Sequence, residues 1–88
     1  MKYKIQINSR TKKEIAYLDK KLLQRISNRI DELGENPLPR GTKKLRGDCE
    51  DCYRIRIGQY RLLYRIDHAN KLLYIDKISH RKEAYRKN

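Results

Sequence analysis

The sequence predicts one small α+β domain: an N-terminal strand, a two-helix hairpin, then an antiparallel sheet of three further strands with a short C-terminal tail or helix. A two-residue apolar period opens the chain and returns in its second half, with a three- and four-residue period between them. Length supplies the remaining constraint, because 88 residues hold a single domain, residues 1–88, with no room for a second.

Tyr3, Ile5 and Ile7 alternate with polar residues and so share one face of a strand. Thr11-Lys12-Lys13-Glu14 has the capping-box pattern, which predicts a helix start at Thr11. Ile15, Leu18, Leu22, Ile26, Ile30 and Leu33 then form an apolar helical stripe, and Gly34 and Pro37 stop it. One unbroken helix over 12–33 would run about 33 Å, too long for so small a domain. Asp19 is therefore expected to cap a second helix, giving a helical hairpin.

Residues 34–52 hold both prolines and no periodicity, and predict a long surface loop carrying Arg40, Lys43, Lys44 and Arg46. From Tyr53 the two-residue period returns, with Ile55 and Ile57 on one face and Arg54 and Arg56 on the other. Gly58-Gln59 suits a two-residue type II′ turn, which pairs Ile57 with Tyr60, Arg56 with Arg61, Ile55 with Leu62 and Arg54 with Leu63. Leu72–Ile75, continuing to Ile78, is apolar on both faces, as expected of a strand buried between others.

Lysine and arginine total 23 against 11 acidic residues, for a formal charge of +12, which points to a polyanionic partner. Ten Leu, ten Ile and seven Tyr are enough to build a core despite that charge. No apolar run approaches the ~20 residues of a spanning helix or the core of a secretory signal, so a cytoplasmic protein with no membrane partner is expected. Cys49 and Cys52 form one CxxC with no second pair, and His68 and His80 lack zinc-finger spacing. They are expected to be reduced loop thiols, with no metal and no cofactor.

The predicted register sets Arg56 directly opposite Arg61, with Arg54 and Arg65 on the same face. Two guanidinium groups about 5 Å apart repel by roughly 3 kcal/mol at an effective dielectric near 20, less with salt screening. A bound phosphate reverses that sign, and with Arg46 and Arg81 nearby six planar donors could surround one groove. If the nucleophile is RNA's own 2′-hydroxyl, such a site needs mainly alignment and charge stabilisation. A proton acceptor is harder to find, and His80, beside Arg81, is the candidate because histidine titrates near neutrality. Tyr85, four residues beyond Arg81, would face the same way on a helical tail and could stack on an unpaired base. Each feature also has a plainer explanation: a solvated basic strand pair, a surface histidine, a rim tyrosine.

The run Cys52-Tyr53-Arg54-Ile55-Arg56-Ile57-Gly58-Gln59-Tyr60-Arg61-Leu62-Leu63-Tyr64, followed by Ile78-Ser79-His80-Arg81-Lys82-Glu83-Ala84-Tyr85, resembles the RelE toxin family. Lys44-Leu45-Arg46-Gly47 matches that family's step before the hairpin, and the similarity covers nearly the whole chain. The resemblance implies a RelE/ParE-like fold and a toxin of a type II toxin–antitoxin pair, a ribosome-dependent endoribonuclease that cuts mRNA in the A site by 2′-hydroxyl attack. Carried over by position, Arg61 would stabilise the transferring phosphoryl group, Arg81 assist the leaving 5′-oxygen and Tyr85 orient the cut nucleotide. Arg54 and Arg56 stand where founding members carry lysines. An arginine stays protonated, so Arg56 would supply charge rather than remove a proton. His80 also replaces a basic residue there, and relatives that use histidine for acid–base work keep it a candidate. Lys12, Lys13, Lys43, Lys44 and Arg46 would contact ribosomal RNA phosphates. The implied partners are the ribosome, mRNA and an acidic RelB-like antitoxin, in a heterodimer or heterotetramer. Two alternatives stay open: a ParE-like toxin binding DNA gyrase, and a ribosome or RNA binder that blocks without cutting.

Overall fold

The computed structural model describes residues 2–45, 47 and 51–80. The order is β1 (Lys4–Ile7), α1 (Ser9–Ala16), α2 (Lys20–Glu35), β2 (Lys43–Lys44), β3 (Cys52–Ile57), β4 (Tyr60–Asp67) and β5 (Leu72–His80). The strands form one sheet in the order β1-β5-β4-β3-β2. β1 runs parallel to β5, and every other pairing is antiparallel. The two-residue β2 is the addition to the predicted strand set: Lys43 and Lys44 pair with Arg54 and Tyr53 inside what periodicity alone reads as loop. Such a strand is too short to leave an alternating signature.

The helical hairpin divides at Asp19, as its side chain predicts, accepting a hydrogen bond from the Leu22 amide at 2.9 Å. The first cap is elsewhere than expected. Asn8, not Thr11, caps α1, its Oδ1 accepting from the Thr11 amide at 2.8 Å. Thr11 is buried one turn in, and its hydroxyl donates to the Asp76 carbonyl at 3.1 Å. Gly34 does not stop α2 either, since the helix continues to Glu35. Its role is close approach: a Cβ there would sit 3.3 Å from the Tyr3 carbonyl oxygen, and its own carbonyl accepts from the Tyr3 amide at 2.7 Å. A larger residue would push α2 away from the start of β1.

Both helices lie on one face of the sheet. Ile15, Ile26, Ile30 and Leu33 interlock there with Ile55, Ile57, Leu62, Tyr64, Ile66, Leu73, Ile75 and Ile78 in one continuous core. Burying such side chains contributes about 1.5–3 kcal/mol each, the main force holding the helices to the strands. Within the described residues no helix is long and apolar enough to cross a membrane.

The β3–β4 register is the one the sequence predicts, from Ile57 opposite Tyr60 to Arg54 opposite Leu63. Gly58 takes the positive φ of 62° that a type II′ turn requires at its first central position. β5 does lie between β1 and β4, but only one of its faces is covered: Leu73, Ile75 and Ile78 are buried in the core, whereas Leu72 and Tyr74 on the other face are half-buried. Its alternation is not continuous, however. Leu63 pairs with Lys77 and Tyr64 with Ile75, leaving Asp76 as an unpaired extra residue, a β-bulge. The bulge lets Ile75 and Ile78, three residues apart, both point into the core.

Candidate nucleic-acid interface

The sheet face opposite the helices is covered by no described element. Arg54 and Arg56 lie there because Ile55 and Ile57, one residue out of phase, are drawn into the core. The tight turn then fixes Arg61 directly opposite Arg56. β2 adds Lys43 opposite Arg54, and a depression of about 180 Å³ is lined by Gly41, Lys43, Arg54 and Arg56. A smaller hollow of about 60 Å³ continues along Arg56, Gly58, Gln59, Tyr60 and Arg61.

β2 is held in place from the core side. The Tyr64 hydroxyl donates to the Pro37 carbonyl at 2.6 Å and lies 3.3 Å from the Thr42 hydroxyl, tying the loop before β2 to the central strand. Burial raises the Tyr64 phenol above its ordinary value, against a smaller lowering by Thr42. This aromatic anchor therefore remains a neutral donor at physiological pH.

Charge is unevenly distributed along the face. Among the described residues, ion pairs join Lys2 to Glu35, Arg29 to Glu32 and Arg65 to Asp76, His68 Nε2 lies 3.8 Å from Asp51 Oδ1, and none of these contacts includes Lys43, Arg54 or Arg56. The carboxylates on the strands of this face are Asp76 and Asp67. Asp67 sits at the β4–β5 turn, its carboxyl held below the usual range by hydrogen bonds from the Asn70 side chain and amide. Asp76 takes Arg65 Nε at 2.7 Å and Nη2 at 3.1 Å, and the guanidinium also lies 4.7 Å over the Tyr74 ring. Arg65, expected among the open arginines, is thus engaged, its pKa raised chiefly by that hydrogen bonding. Among the described strand residues, the hairpin end of the face carries Lys43, Arg54, Arg56 and Arg61, and the far end carries Arg65 with Asp76 and Asp67.

Of the residues singled out from sequence, the fold brings Arg54, Arg56, Arg61 and Lys43 together. Lys44 is opposite Tyr53, on the helix side of β2, and Lys12 and Lys13 are exposed on α1, away from the arginine face. Arg46, Arg81 and Tyr85 lie outside the described residues, so the expected six-arginine groove is seen only in part. His80 departs from expectation. It pairs with Tyr60, its ring edge-on at 5.0 Å, and lines a helix-side groove of about 420 Å³ with Asp19, Leu22, Arg25 and Tyr60. The bulge is the reason: strict alternation from Ile75 would have put His80 on the arginine face, and one extra residue reverses the phase. The same reversal brings Lys77 to the arginine face, opposite Leu63, a residue periodicity did not select. The readable signal was the charged pair Asp76-Lys77 between Ile75 and Ile78. Cys52 corrects a further expectation, being disulfide-bonded rather than a reduced thiol.

This face can hold successive phosphates of a nucleic-acid backbone, through planar donors on rigid strands. A family model described as the ParE toxin of a type II toxin-antitoxin system, parDE, matches residues 3–85. The chain is 33% identical over 89 residues to the putative toxin RelE1 of Methanocaldococcus jannaschii, covering 98% of each. It is 30% identical over 88 residues to toxin RelG of Mycobacterium tuberculosis, covering 99% of this chain and all of that one. Among solved structures, the archaeal RelE–RelB complex of Pyrococcus horikoshii is similar with a TM-score of 0.82 and 31% identity, over 92% of this chain and 97% of that chain. Sequence and fold therefore agree over nearly the whole length, and the chain belongs to the RelE toxin family, within the RelE/ParE superfamily of type II toxin–antitoxin systems.

Proposed function

We propose that this protein is a ribosome-dependent endoribonuclease that cuts mRNA in the A site. The observation that supports it most is the meeting of Lys43, Arg54, Arg56 and Arg61 on one uncovered sheet face. In the proposed step the RNA 2′-oxygen forms a bond to phosphorus as the bond to the 5′-oxygen breaks, leaving a cyclic phosphate. The proton leaves the 2′-hydroxyl and one is delivered to the 5′-oxygen. Arg61 stabilises the charge on the phosphoryl oxygens, and Arg54 and Arg56 align the flanking backbone. Arg81 is assigned the leaving oxygen and Tyr85 the cut nucleotide. Guanidinium groups stay protonated, so the 2′-proton goes to a group other than these arginines. His80, on the opposite face, is given no part in that transfer.

Lys12, Lys13, Lys44 and Arg46 are assigned to ribosomal RNA, apart from the reacting phosphate. The proposed antitoxin is an acidic RelB-like chain, as in the RelE–RelB complex of Pyrococcus horikoshii, and the proposed location is the cytoplasm. The gyrase-binding alternative is not favoured. Although the family model carries the ParE name, the relatives matched over the whole chain are RelE1 and RelG.

Sequencing mRNA ends from a translating extract tests the proposal. Cyclic-phosphate ends at A-site codons, lost with Arg61→Ala, are expected. Stalled ribosomes without new ends would establish instead a binder that blocks without cutting.

A further inference from the structure

The bulge at Asp76 is fastened from both sides of the sheet. Its carbonyl accepts from Asn8 Nδ2 and Thr11 Oγ1, each at 3.1 Å, on the helix side. Its carboxylate takes both Arg65 donors on the other. Two elements remote in sequence thus hold one extra residue in place, and that hold decides the face on which the next side chain emerges. Bulges commonly re-aim a side chain beside a functional site. Without this one, Lys77 would follow Ile75 into the core; with it, Lys77 is exposed opposite Leu63.

That position has neighbours of its own charge. Across the sheet run Lys43, Arg54, Leu63 and Lys77 in register, and the adjacent row runs Arg56, Arg61 and Ser79. Lys77 is therefore the diagonal neighbour of Arg61, about 7–8 Å away by strand geometry. It stands about 10 Å from Arg54 with Leu63 between them, at ~4.8 Å per strand. Asp76, the nearest carboxylate in sequence, is committed to Arg65, and no described ion pair includes Lys77.

We propose that Lys77 is a phosphate-binding residue of the arginine face, aimed there by the Asp76 bulge, that positions the RNA backbone beside the nucleotide held at Arg61. This rests on reading the face as an RNA site. An ammonium on a flexible stem suits that part, supplying a point charge to a neighbouring phosphate while the rigid arginine forks fix the reacting one. Lys77 is a positioning residue and takes no part in bond making.

The test is binding of a short unstructured RNA oligonucleotide over a salt series, with the intact protein and its Lys77→Ala, Lys77→Arg and Lys20→Ala variants. Lys20 is an exposed cation at the start of α2. Lys77→Ala is expected to make the log–log salt slope shallower by about 0.7, the loss of one single-strand phosphate contact. Lys77→Arg should restore it, and Lys20→Ala should leave it as in the parent. An unchanged slope in Lys77→Ala, or an equal drop in Lys20→Ala, overturns the proposal. On programmed ribosomes Lys77→Ala should raise the half-saturating concentration with the maximal rate retained; a fall in maximal rate alone also overturns it. If neither the parent nor Arg61→Ala cuts, the nuclease reading fails, while the slopes still decide Lys77.

Discussion

Arg65 grips Asp76 with two hydrogen bonds, at 2.7 and 3.1 Å, at the point where β5 falls out of register with β4. The pair takes one arginine out of the open cations of this face while fastening the bulge after which Lys77 emerges. Asp76→Ala keeps the bonds from Asn8 and Thr11 to the backbone carbonyl that hold the bulge, and so should release Arg65 as an additional cation with Lys77 still on the face. Free RNA should bind it more tightly, with a salt slope steeper by about 0.7. Stability should fall by roughly 0.2–1 kcal/mol, the range for a partly exposed pair. Salt-dependent binding and urea unfolding check the two effects.

Arg56 faces Arg61, and like charges directly opposed weaken a strand pair. Arg56→Ala is expected to stabilise the protein by up to about 1 kcal/mol while weakening RNA binding. Opposite signs in unfolding and binding would identify Arg56 as a residue retained for a ligand rather than for the fold.

Tyr64→Phe removes the donor to the Pro37 carbonyl and should cost about 1–3 kcal/mol, since a partly buried acceptor loses its partner. The phenol also gives this variant a pH signature. Its folded pKa is raised, so its contribution is fully present below the unfolded value near 10 and is lost as pH rises through the folded value. The parent should lose stability above about pH 10 by an amount that Tyr64→Phe does not show. Denaturant midpoints at neutral and alkaline pH measure it.

His80 lies on the helix side, and His80→Gln should keep cleavage within a few-fold of the parent. A general acid or base contributes about 10²–10⁴-fold, so a loss of that size would return His80 to the chemistry. Single-turnover rates on programmed ribosomes distinguish the two.

Much of this molecule was legible from residue types alone, for definite reasons. Gly58-Gln59 admits few turn geometries, and that restriction is enough to set Arg56 opposite Arg61. Asp19 announced the division of the helices because a short oxygen-bearing side chain satisfies amides at a helix start. Thr11 misled because the same pattern served a buried hydrogen bond to β5, with Asn8 three residues earlier doing the capping. The phase of β5 was hidden because a strand with apolar residues on both faces does not show where one residue has been inserted. His80 and Lys77 exchanged faces as a result.

Single-turnover cleavage of mRNA on programmed ribosomes, comparing the parent with Arg61→Ala, measures whether this face cuts RNA. The parent should produce new ends at the A-site codon, and Arg61→Ala should fold normally and cut at least ~10²-fold more slowly, the scale for losing one stabiliser of transition-state charge. Equal cutting by both proteins would contradict the account.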